Sequence, residues 1–178
     1  MKNWMRWMIA TLVLAAIFHV AAVAFLPDVI MAVVSKIALQ SSKASVNTAI
    51  YRPRETHDQQ TIVMPSPDLL YTLCVYDVSQ KPLRIEAPVP KGTYFSVAMY
   101  AANTDNFFVI NDRQLERDGR EILLVHKGMS YHGSGNYRVV EAPTPQGIIL
   151  CRTLITDENR IDEMIRIQHQ VTITQVEQ

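Results

Sequence analysis

One stretch constrains this chain more than any other. From Met8 to Leu26, every residue is apolar except Thr11 and His19. About 20 apolar residues carry a helix across the hydrocarbon core of a bilayer, so the run predicts one membrane span. Lys2 and Arg6 precede it, with Trp4 and Trp7 close by. Basic residues stay on the cytoplasmic side, and tryptophan prefers the interface. The expectation is a single-pass protein of the inner (cytoplasmic) membrane, N-terminus inside, with its domain on the extracytoplasmic side. Pro27 is expected to end or kink the helix. Ala22-Val23-Ala24 offers an alternative, a cleaved signal peptide. The run is long for a signal peptide, and hydrophobicity resumes in Val29, Ile30, Val33, Val34 and Ile37. Their helical spacing predicts a second, amphipathic piece on the membrane surface or on the domain. His19 is ionisable and lies mid-run, which marks a functional residue by default. With no second span in the chain to pair with, it reads as a neutral side chain packed against a partner helix or lipid.

Charge divides the chain the same way. Residues 1–60 carry a net +3 and residues 61–178 a net −3, for a total of zero. Nucleic-acid binders show a clustered basic face, so the zero net charge argues against that class. Residues 1–27 are assigned to a cytoplasmic tip and span, 28–60 to the amphipathic helix and a polar linker, and 61–178 to a soluble domain.

Beyond residue 60 the periodicity changes. Short runs rich in Val, Ile, Tyr, Phe and Thr fall at 61–64, 69–78, 83–87, 94–101, 106–110, 121–126, 137–142 and 147–155. Such residues suit pleated, half-buried surfaces, and turn signals separate the runs. The pattern predicts an all-β fold, a sandwich or barrel. Asp157 is placed to cap one short C-terminal helix, before a last strand at 171–176.

The chemistry-bearing residues form no complete motif. His57, His126, His132 and His169 lack metal-ligand spacing, and no metal or other cofactor is expected. Ser130 lies outside any nucleophile elbow. Cys74 and Cys151 each sit in an apolar strand pattern, where a disulfide between them is possible outside the cytoplasm. The densest polar stretch, 101–113, holds Asn103, Asp105, Asn106 and Arg113 around Phe107 and Phe108. Asn and Asp commonly bond their own backbone in turns; the alternative is a binding cleft at one end of the sandwich. Asp68 and Tyr71 open another cluster. They could do acid–base work in a cleft, although an Asp more often caps a strand start and a buried Tyr more often serves packing.

These residues in order resemble a known family. Pro67, Asp68 and Tyr71 lead into a strand closed by Asp77; Tyr94, Asn106, Phe107 and Arg113 follow; Pro143 precedes Arg152, Thr153 and Leu154. The pattern is similar to that of the domain of unknown function 1254 family, over roughly residues 60–176. The resemblance implies an immunoglobulin-like β-sandwich. It implies a companion, the domain of unknown function 1214, which larger relatives join to it and which a partner protein would supply here. It implies no reaction. The family glycine near Arg113 is replaced by Asn111-Asp112.

Three functions remain in view. The first is a bitopic membrane protein whose sandwich binds a partner or ligand through one patch of Asp68, Tyr71, Asn103, Asp105, Asn106, Arg113 and Arg152. The second is a cell-envelope enzyme using Asp68 or Asp105 as acid or base, with Arg113 or Arg152 holding an anion. The third is a structural subunit of a hetero-oligomer.

Overall fold

Leu83 and Ile85 are fully buried, while Arg84 and Glu86, which alternate with them, are not. That alternation places strand β3 (Leu83–Glu86) at the wall of a core with one wet face. β3 lies within a four-stranded sheet, between β6 (Glu121–His126) and β9 (Thr172–Gln175). β7 (Arg138–Ala142) completes it and runs parallel to β6. The second sheet has five strands: β1 (Ile50–Tyr51), β2 (Leu69–Asp77), β8 (Gln146–Leu154), β4 (Phe95–Ala101) and β5 (Asn106–Asn111), in that spatial order. The structure, a computed structural model, describes residues 2–54, 65–129 and 137–176. The expected strand at 61–64, with His57, Ser130 and His132, lies outside the described residues.

The two sheets share one core. Tyr76, Phe95, Val97, Met99 and Ile149 come from the first sheet and Leu83, Ile85, Ile122, Leu124 and Ile173 from the second. β8 passes closely beneath its neighbours at Gly147. A Cβ there would collide with the Tyr100 carbonyl oxygen and the Tyr76 ring and hydroxyl, so only glycine fits.

The outer face of the five-stranded sheet is covered too. Helix α1 runs from Lys2 to Ser42 without a break. Of the two expectations for Pro27, an end or a kink, the end does not occur: the helix continues, and residues 28–42 belong to it. Pro27 forfeits one backbone bond, and the residues beyond it recover packing. Met31, Ala38 and Leu39 dock on Leu73, Val75 and Ile148. β2 is thus buried on both faces, which explains its unbroken apolar run. The expected linker is also more ordered than a linker, since β1 falls within it.

Two further helices close the domain. α2 (Asp112–Asp118) follows β5 directly. Asn111 caps it by accepting from the Gln114 N–H, and Gln114 Oε1 accepts from the Asn111 N–H, a reciprocal capping box. The expected C-terminal helix begins with a 3₁₀ turn, Glu158–Arg160, capped by Asp157. It continues as α3 (Ile161–Gln168), whose Met164 and Ile167 pack on Leu70 and Ile155. Gln168 is buried, and its Nε2 donates to the carbonyls of Arg52 and Tyr71 at 2.9 and 2.8 Å.

The possible disulfide is not formed. Cys74 and Cys151 are both free and buried. Cys74 faces Ile149 across the β2–β8 pair, so Cys151 is its diagonal neighbour, two residues along. Diagonal positions are ~7–8 Å apart, beyond the ~7 Å at which a bridge closes without backbone movement. Burial pushes both thiols up to about 12, holding them neutral and unreactive. In the native protein neither should react with iodoacetamide over a time in which the unfolded chain is fully labelled; labelling of either before unfolding would contradict this packing.

α1 is fastened to the sheet by Asn47. Its backbone is left-handed, at φ 65°. Its Nδ2 donates to the Asp77 carbonyl at 2.9 Å, and its Oδ1 accepts from the Asp77 N–H at 2.7 Å. Asn47→Ala removes both bonds and leaves a non-glycine residue in a conformation that alanine tolerates poorly. A loss of about 1–3 kcal/mol is expected, read as a lower thermal midpoint of the full chain in detergent.

Candidate functional site

The sheets have two ends. α1 leaves from the end where Asp77, Ala102 and Gln146 lie, and a crevice of about 370 Å³ separates Asp28, Ser35 and Lys36 from these residues. The seven residues expected to share one patch are divided between the ends. Asn103, Asp105 and Asn106 sit in the β4–β5 hairpin at the α1 end. Asn103 Nδ2 donates to Asp105 Oδ2 at 2.6 Å, and Asn103 Oδ1 accepts from the Asp105 N–H at 3.2 Å. Asn106 Nδ2 donates to the Met99 carbonyl at 3.4 Å. These side chains serve their own hairpin, the turn-forming role weighed above.

Asp68 and Arg113 lie at the far end. Asp68 is exposed in the turn before β2, and its carbonyl accepts from the Ile155 N–H. Tyr71 and Arg152 are brought together, facing one another across the β2–β8 pair. The Tyr71 hydroxyl accepts from the Ser66 N–H at 3.0 Å, and Arg152 Nη2 donates to the Tyr100 hydroxyl at 3.2 Å. Tyr71 is buried and Arg152 half-buried. The single patch joining all seven is therefore not assembled, because β2 and β4 run parallel and carry their starts and ends to opposite sides.

Arg113 instead joins residues that the sequence did not single out. It lines a cleft of about 990 Å³ at the far end, with Lys91, Thr93, Tyr94, Glu116 and Arg120. One wall is the β3–β4 connection. Pro88 and Pro90 cannot donate to a ladder, and Gly92 takes a left-handed φ of 78°, so this segment loops out. The other wall is α2. The walls are tied at their base: the Ala87 N–H donates to the Arg120 carbonyl at 2.9 Å, and Asp112 Oδ1 accepts from the Phe95 N–H at 3.4 Å. Thr93 is pinned through its hydroxyl to the Leu154 carbonyl. Leu115 anchors α2 in the shared core.

The cleft lining carries three cations, Lys91, Arg113 and Arg120, against two acids, Asp112 and Glu116. Lys91, Arg113 and Arg120 are exposed and make no ion pair among the described residues. Glu116 and Asp112 are the acids on the same walls, and the Asp112 carboxylate is engaged with the Phe95 N–H. Three free cations around one concavity suit an anionic group, arginine as a planar fork and lysine as a point charge. Two sequence signals could have located this cleft: the Asn-x-x-Gln capping box at 111–114 and the Pro-Lys-Gly turn at 90–92.

Comparison with known proteins agrees with this architecture. The family described as "Protein of unknown function (DUF1254)" matches residues 46–175. The crystal structure of the VPA0106 protein from Vibrio parahaemolyticus is similar, with a TM-score of 0.59 and 12% identity over 86% of this chain and 38% of that one. A putative uncharacterized protein from Burkholderia cenocepacia is also similar, with a TM-score of 0.50 and 20% identity over 82% of this chain and 40% of its own. At these identities the likeness is one of fold. This chain spans about two-fifths of either neighbour. No curated protein matches.

Proposed function

The chain belongs to the DUF1254 family of proteins of unknown function, and from that footing we propose that it is a membrane-tethered binding protein whose far-end cleft receives an anionic ligand or an acidic segment of a partner. The observation that carries this reading is the convergence of Lys91, Arg113 and Arg120, free of ion pairs among the described residues, on one cleft. One helix, α1, is long and apolar enough to span a membrane. Lys2 and Arg6 before the span favour an N-terminus inside and a domain on the extracytoplasmic side of the inner membrane. Two sheets around one core support the immunoglobulin-like description of the sandwich. The neighbours in Vibrio and Burkholderia carry further chain beyond the shared part.

The enzyme alternative has less support. Asp68 and Asp105 are both exposed and lie at opposite ends of the sheet, so they do not form a pair around one substrate. The cleft is tested by titrating the full chain, in detergent at low salt, with citrate as a polyanion. Saturable binding is expected. Arg113→Ala and Arg120→Ala should each weaken it roughly tenfold, the range for one charge-assisted bond, with the melting temperature unchanged because both side chains are exposed. Equal affinity in both variants, or no binding at all, would remove the cleft from consideration.

A further inference from the structure

Beyond the membrane span, α1 carries an apolar stripe that the domain does not cover. Met8–Leu26 is ~28 Å long at 1.5 Å per residue, about the thickness of the hydrocarbon core. The next turns run beside the soluble domain. On them, Met31, Ala38 and Leu39 face the sheet. Val29, Ile30, Val33, Val34 and Ile37 face away, as does Leu26 at the end of the span, each with 43–55% of its surface exposed. The helix is unbroken at Pro27, so it cannot cross the membrane and then turn to lay this stripe on the bilayer surface.

The stripe has a heptad register. Val23, Ile30 and Ile37 recur every seven residues, and Leu26 and Val33 follow the first two by three. In coiled-coil terms these are the a and d positions; β-branched residues at a with leucine at d, as at Leu26, favour two parallel strands, and the other d position is the β-branched Val33. The register continues back through Ile9, Leu12, Ala16 and His19. The residues that dock on the sheet, Met31, Ala38 and Leu39, fall at b and c, so the domain leaves the seam clear.

We infer that α1 pairs with α1 of a second copy of this chain in a parallel, left-handed two-helix seam running from the membrane span to Ile37. The inference rests on the membrane reading for its direction: copies inserted the same way are parallel. In a parallel pair each seam residue meets its own counterpart. Six half-exposed aliphatic side chains from each copy would bury on the order of 1,000 Å² in total, the lower bound for a specific interface. The pairing also supplies His19, at a d position within the span, with a partner.

Cysteine cross-linking in native membranes tests the seam. Cys74 and Cys151 are buried, so the background is low. Ile30→Cys, Val33→Cys and Ile37→Cys in the full chain should each form a disulfide-linked dimer on mild oxidation, at least fivefold more than Ser35→Cys, which faces the domain side. Native mass spectrometry of the unsubstituted chain in gentle detergent should show twice 20.2 kDa. Equal cross-linking at all four positions, none at any, or adducts with a different protein would overturn the seam. Carbonate extraction of the same membranes separates the two readings. Cross-linked chain released by carbonate would overturn the anchor and retain the seam.

Discussion

The fold depends on one strand with no wet face. β2 is covered by the opposing sheet on one side and by α1 on the other, so its backbone groups have no access to water. A buried backbone must pair completely, and β2 does so along its length with β8. On its other edge the two residues of β1 pair with Thr72 and Leu73. The Asn47 N–H and side chain take up the groups that β1 leaves at Val75 and Asp77, and Gln168 and Arg52 satisfy the Tyr71 carbonyl. The chain from Asn47 to Arg52 is therefore part of the sheet's hydrogen bonding, and α1 is held wherever that segment is held.

Much of this was legible because it is periodic. The alternation of Leu83, Arg84, Ile85 and Glu86 marks a strand with one wet face, and the structure has it. The run 69–78 reads as a strand without saying why it lacks alternation; the reason is α1, a contact made by residues far away in sequence. The continuity through Pro27 was not legible, since the local rule ends a helix there and tertiary packing of Met31 and Leu39 overrides it. α2 was missed although its capping box lies in plain view, because the preceding strand pattern runs straight into it without a glycine or proline to separate them.

The site was less legible than the fold. Asn103, Asp105 and Asn106 attract attention by density, and density of Asn and Asp is what a tight hairpin needs. Tyr71 and Arg152 do meet, as cross-strand partners, but register cannot be read from one strand alone. Arg113 belongs to the β5–β6 connection with Arg120, yet Lys91 comes from the separate β3–β4 connection. The Ala87–Arg120 and Phe95–Asp112 hydrogen bonds bring those segments to a common base. A cleft built by loops from both sheets has no sequence period to betray it.

The unbroken α1 has a mechanical meaning. With hydrophobic docking at Met31 and Leu39, and the Asn47–Asp77 bonds just after the helix ends, no free joint separates the rod from the sandwich. The domain is a head on a stiff shaft. Its heading follows from how the first turns of the shaft are gripped, and a tilt or rotation imposed there carries through to the cleft at the opposite end. Such a head keeps one orientation on its shaft, so the cleft faces one fixed direction relative to the helix axis.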